Sequence, residues 1–123
     1  PVLRSFGDGD QEPLALEWVR LLPTTRFANP FVDAARPLIL LDTFGYPATT
    51  SQYRFEDFIA PNLDTSAWFH DIPGQSDWLL IEHSSPVARD GLIAVDGRVW
   101  SESGALIANG SAHLLQLERP DGV

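Results

Sequence analysis

The sequence predicts an α+β domain in which one helical segment lies against an antiparallel sheet. Three observations carry this. A helix-start signal, Asn29-Pro30, precedes apolar residues at helical spacing: Phe31, Ala34, Ala35, Leu38 and Leu41. From Asn62 onward, residues alternate with the two-residue period of half-buried strands. Turn signals at Pro73-Gly74, Asp96-Gly97 and Ser103-Gly104 then punctuate the second half. The 123 residues suit one domain, and a hydrophobic content of 44% can build its core.

The elements follow in order. Residues 1–12, containing Gly7-Asp8-Gly9-Asp10, read as a lead-in or linker; residues 13–118 read as the domain and 119–123 as a tail. Leu14 to Leu22 sets Leu14, Leu16 and Trp18 against Ala15, Glu17 and Val19, an edge-type strand ended by Pro23. Pro37 interrupts the helix, so a kink or two pieces is expected, the second over about 37–45 and stopped by Pro47. Residues 46–61 form a long polar and aromatic connection, a kind of loop that is usually functional when ordered. In the strand Asn62–His70, Leu63, Thr65, Ala67 and Phe69 take one face; Asn62 shares the other with Asp64. Asp77–His83 is the next strand, and Pro86–Asp90 reads as a connection. The segment 92–117 can turn at Asp96-Gly97 or at Glu102-Ser103-Gly104. The first leaves strands of about five residues, whereas the second gives long partners, 92–101 and 105–117, with Gly97 as a bulge or close-approach point. The second reading is adopted.

Charge and composition exclude several functions. Seventeen acids face eight bases, all arginine and scattered singly, for a net charge of −9. A nucleic-acid binder needs a basic stripe, so nucleic acid is excluded as a partner. Single arginines could still hold a small phosphorylated ligand. No run approaches the roughly 18 apolar residues of a membrane helix, and no signal-peptide pattern opens the chain, so no membrane partner is expected. Without cysteine there is no disulfide or thiolate site, and three histidines with scattered acids show no metal-ligand spacing. No metal and no cofactor are expected. A first residue of Pro1 rather than Met reads as a processed chain or a piece of a longer one.

Several polar residues stand out. Asp42 lies between Leu41 and Phe44 on an apolar helix, where burial would cost several kcal/mol without a partner. Desolvation would raise its pKa into the range of a useful base. Its bland reading is a helix-end acid facing solvent or accepting from Thr43. Asn62 carries a donor and an acceptor and could hold a water, or could cap the turn after Pro61. Asp64 reads as structural, and His70 and His83 as packing or surface residues near strand ends. Ser111 and His113 flank Ala112 on the opposite strand face, unless a one-residue bulge turns one of them over. Without a third group they do not read as a catalytic pair.

Leu40-Leu41-Asp42, the run Asn62-Leu63-Asp64-Thr65-Ser66-Ala67-Trp68-Phe69-His70, Asp77-Trp78-Leu79-Leu80 and Ser103-Gly104-Ala105-Leu106-Ile107-Ala108 carry a resemblance. Over about residues 13–118 the chain resembles the TesB-like, type II acyl-CoA thioesterases. That resemblance implies a hotdog fold, a curved antiparallel sheet wrapped around a central helix. Two such units commonly sit in tandem in that family, and these motifs belong to the C-terminal one. A chain opening at Pro1 with a Gly/Asp linker is what that unit would look like alone.

The resemblance implies hydrolysis of a fatty acyl-CoA to free acid and CoA by a water that a helix aspartate activates, with a Thr and a Gln as its companions. The aspartate matches Asp42. The Thr position holds Asn62 and the Gln position Ala112, so a third polar group would come from backbone, from Ser111 or His113 through a bulge, or from a partner unit. Feeble hydrolysis is expected, rising in Ala112→Gln if the pocket has room. The catalytic candidates are thus Asp42, Asn62 and Ser111. The aromatics Phe44, Tyr46, Trp68 and Trp78 are most simply core; Phe44, Tyr46 and Trp68 are the candidates to wall an acyl site. Unpaired sheet edges imply a homo-oligomer or a second hotdog unit as partner. A cytoplasmic place in lipid metabolism goes with this reading. The alternative is a non-catalytic hotdog domain that binds acyl groups or completes an assembly.

Overall fold

The structure is a computed structural model and describes residues 14–43, 48, 58–73 and 76–119. The elements are β1 (Leu14–Val19), α1 (Pro30–Asp33), α2 (Ala35–Thr43), β2 (Phe58–Ile59), β3 (Asn62–Phe69), β4 (Leu79–Arg89), β5 (Leu92–Ser101), β6 (Leu106–Leu115) and β7 (Leu117–Glu118). Among the described residues, five strands form an antiparallel sheet in the order β1-β4-β5-β6-β3, and β2 pairs with β7 apart from it. The α+β reading holds.

The helix begins where the sequence marks it. The Asn29 side chain accepts from the N–H groups of Phe31 (2.9 Å) and Val32 (3.4 Å), and Pro30 occupies a first-turn position. The break comes at Ala34, three residues ahead of Pro37, so the second piece starts at Ala35 rather than at about 37, and its expected end near 45 lies outside the described residues. Pro37 has no N–H for the Asp33 carbonyl, and its ring crowds that carbonyl, so the interruption lands one turn earlier. A buried ion pair stabilises the break: Arg36 Nε and Nη2 donate to Asp33 at 2.8 and 3.1 Å, and Arg36 Nη1 donates to the Ser76 carbonyl at 2.7 Å. Arg36 is thus committed to the fold, not to a ligand.

Strand limits follow from pairing. β1 stops at Val19, short of Leu22, because its partner β4 begins opposite it at Leu79. β4 does not end before Pro86. It runs to Arg89, with a register shift between Ser84 and Val87 that accommodates the missing proline N–H. The expected connection over Pro86–Asp90 is therefore strand, and the turn is Asp90-Gly91, with φ of 53° and 80°. Two successive positive φ values suit a tight hairpin of the primed type. The turn at residues 102–104 is as read, closed by Gly104 N–H to the Ser101 carbonyl at 3.0 Å.

Helix α2 lies on the concave face. Leu40 and Leu41 pack against Leu79, Ile81, Val99 and Ala108, while Phe58 joins Ala88, Ile93, Val95, Ala112 and Leu114 in a second cluster. Gly97 and Gly110 are cross-strand partners beneath the helix. A Cβ on Gly97 would lie 2.9 Å from Leu41 Cδ2 and 2.7 Å from His83 Nε2, and one on Gly110 would run into the Ser66 carbonyl. Gly97 is a close-approach point, and the shift in the β5–β6 register falls instead at Val99/Trp100. This approach brings the C-terminal turn of α2 down onto the sheet.

Candidate functional site

The last turn of α2 carries Asp42, and its position is set from below. Leu41 is buried, and its carbonyl accepts from His83 Nε2 at 3.1 Å. His83 lies in mid β4, opposite Gly97, and is fully buried, which corrects its expected place near a strand end. Burial lowers its pKa, against the opposing effects of the Leu41 bond and the nearby Glu82 charge.

That lowering has a sign that can be measured. Above the ordinary imidazole value of about 6.5 the ring is neutral whether the chain is folded or unfolded. As pH falls through it, the unfolded chain takes up a proton that the buried ring refuses, so stability declines from about pH 6.5 downward until the lowered pKa is passed. Thermal melts between pH 8 and pH 5 should show this decline in the wild type and a flatter profile in His83→Gln, which keeps a donor. Equal slopes would mean that His83 titrates normally.

Asn62 and Thr65 reach Asp42 from β3. In a regular strand, residues three apart face opposite ways. Here the pairing runs Asn62 with Leu114, Asp64 with His113, and Thr65 with Ala112, so Leu63 is an extra residue in a β-bulge. The bulge puts Asn62 and Thr65 on the concave face together. Asp64, expected beside Asn62, is turned to the convex face for the same reason.

The three side chains close a triangle. Asn62 Nδ2 donates to Asp42 Oδ1 at 2.6 Å and to Thr65 Oγ1 at 2.7 Å, and the Thr65 hydroxyl donates to the same Asp42 oxygen at 2.9 Å. A carboxylate at a helix C-terminus meets the negative end of the dipole, and these two neutral donors offset it. Asp42 is exposed on the single chain, so the expectation of a desolvated helix acid fails there. It lies in the last described turn of the helix, at the β3 side of the sheet and at the surface.

Ser111 is not part of this cluster. Its strand has no bulge at that point, and it pairs with Ser66 and Asp96 on the convex face, whereas Ala112 is buried in the core. Trp68 likewise projects from the convex face, opposite Asn109, and is half-exposed. It lines no wall near Asp42. Phe44 and Tyr46 lie outside the described residues. Trp78 sits at the surface beneath Arg20, whose guanidinium is 4.9 Å from the ring centre. His70 hydrogen-bonds the Asn109 side chain. Among the described residues no three His, Asp or Glu side chains are grouped to hold a metal ion.

Sequence reasoning missed Thr65, because only a bulge that no local residue announces lets it share a face with Asn62. It also missed an apolar groove of about 590 Å³ along the outer side of the helix, lined by Phe31, Ala34, Ala35, Leu38, Phe69 and Ile72 among others. Leu38 lies one turn before Asp42, on the same side of α2. Its signal was the helix stripe itself, which has more apolar positions than one buried face uses: Phe31 is 90% exposed and Leu38 41%.

Among the described residues, no helix is long and apolar enough to cross a membrane. Solved structures share the architecture. An acyl-CoA thioesterase II, TesB2, from Mycobacterium marinum is 22% identical with a TM-score of 0.77, over 94% of this chain and 45% of that one. A tesB protein from Mycobacterium avium subs paratuberculosis is 20% identical with a TM-score of 0.71, over 85% and 41%. A Streptococcus mutans protein solved bound to acetyl CoA is 15% identical with a TM-score of 0.71, over 95% and 94%. These likenesses show a hotdog fold, and the chain spans less than half the length of the two TesB-type structures. No curated protein sequence matches it. The acyl-CoA thioesterase C-terminal domain family matches residues 2–115, and with the helix-on-curved-sheet architecture in place, the chain belongs to that family.

Proposed function

We propose that this domain hydrolyses fatty acyl-CoA thioesters to free acid and CoA, as a cytoplasmic enzyme of lipid metabolism. The observation that carries the reading is the convergence of Asn62 and Thr65 on one oxygen of Asp42 at the end of α2. With Oδ1 held by two donors, the second oxygen of Asp42 is oriented to take a proton from water. Asn62 and Thr65 keep acceptor capacity with which to hold that water. The water oxygen bonds to the thioester carbonyl carbon, the carbon–sulfur bond breaks, and the proton passes through Asp42 to the departing thiolate. A backbone N–H polarises the carbonyl.

The site also calls for a partner. β3 is an outer strand of the sheet, and edges of this kind are ordinarily paired or covered. A second hotdog unit, from another copy or a tandem half, set along β3 would enclose Asp42 and withdraw it from water. Thiol release from acyl-CoAs of two to sixteen carbons, followed alongside light scattering over a range of protein concentration, tests both points. Turnover per chain that rises as dimers form supports the reading. Binding of acyl-CoA with no thiol released at any concentration would establish the alternative, an acyl-binding or assembly-completing domain. Ala112, apolar and buried where the resemblance places a glutamine, is the feature that favours that second reading.

A further inference from the structure

We propose that Asp64 and His113, on the sheet face away from the site, are positioning residues whose pairing fixes the β3 bulge and so aims Asn62 at Asp42. The inference rests on the reading of Asp42, Asn62 and Thr65 as the water-holding group. From Thr65 opposite Ala112 and Asp64 opposite His113, a regular ladder would continue with Leu63 opposite Leu114. Leu63 would then face the concave side, and Asn62 would point to the convex side, away from Asp42. Apolar burial favours that slipped register. Leu63 is 56% exposed in the bulged strand, and the slip would carry it toward the buried Leu114.

Something must hold the bulge against this pull. Asp64 Oδ1 accepts the backbone N–H of His113 at 3.2 Å and the His113 ring Nδ1–H at 2.9 Å, and Oδ2 lies 3.1 Å from the same ring nitrogen. One side chain thus grips both the main chain and the ring of the residue directly across the ladder, immediately after the extra residue. The ring form involved carries its proton on Nδ1. Both side chains are about half exposed, where an ion pair adds little to overall stability. The effect is therefore local: it selects a register rather than sustaining the fold.

The test reads Asn62 directly. Its side-chain amide protons, bound to Asp42 and Thr65, give resolved ¹H–¹⁵N signals that are identified by their loss in Asn62→Asp. In Asp64→Ala these signals should move to the positions of a water-exposed amide while the melting temperature hardly changes. Asp64→Asn, which keeps an acceptor oxygen for the His113 N–H, should restore them. His113→Ala, which keeps the backbone bond alone, should give an intermediate spectrum. Turnover should follow, with kcat of Asp64→Ala lowered about 10-fold at constant KM, within the roughly 10²-fold that a 1 Å misplacement can cost. Unshifted Asn62 signals in folded Asp64→Ala would overturn the proposal. If that variant fails to fold, unshifted signals in His113→Ala do the same. A wild type without thioester hydrolysis would count against the functional reading alone, because the amide signals report the bulge independently of any substrate.

Discussion

Asp42→Asn should lower turnover by about 10²–10⁴-fold, the usual cost of removing a general base, and leave the fold intact. The exchange keeps shape and keeps an oxygen at the Oδ1 position, so Asn62 and Thr65 retain their acceptor. What it removes is basicity. Removing a negative charge from the last turn of α2 should, if anything, steady the helix by a few tenths of a kcal/mol. Activity and stability therefore move in opposite senses, a pattern that a merely structural acid would not give. Steady-state kinetics alongside a thermal melt decides it. An unaltered rate in folded Asp42→Asn would remove Asp42 from the chemistry.

Much of the architecture was legible because local chemistry and global fold agree. Asn29-Pro30 stands just before apolar residues at helical spacing, where it marks a helix start, and the alternation from Asn62 fits a half-buried strand. Gly97 was recognisable as a contact point because a glycine inside a long strand needs a reason. The errors have physical causes too. Pro86 looked like a strand end, yet proline is tolerated at a bulge, and the Asp90-Gly91 turn beyond it went unread. His83 was read as a packing or surface residue near a strand end because the strand was ended there, ahead of Pro86; the strand runs on to Arg89 and buries the ring in its middle.

Of the candidate cluster, the sequence pointed to Asp42 and Asn62. That Thr65 shares a face with Asn62 depends on one inserted residue, and inserting a residue reverses the facing of everything beyond it. The sequence placed a possible bulge on β6, at Ser111 or His113, to supply a missing donor. The bulge lies instead across the ladder, on β3, and lets Asn62 join Thr65, which stands directly opposite Ala112.

That exchange yields the last expected result. Thr65→Val keeps the shape and β-branching of the side chain and deletes the hydroxyl, so strand pairing is retained while Asp42 loses one donor and Asn62 one acceptor. Turnover should fall about 10²–10³-fold, as when one oriented donor is lost from a preorganised site. Thr65→Ser, which restores the hydroxyl, should recover most of it. Ala112→Gln then has no vacancy to fill. Its longer side chain would start from a core cluster with Phe58, Val95 and Leu114, where overpacking costs about 1–3 kcal/mol, so it should lower the melting temperature without raising the rate. Rates and melts of the three variants form one experiment. Full activity in Thr65→Val together with a gain in Ala112→Gln would mean that the third group belongs to position 112, and that Thr65 only ties the helix end to the strand.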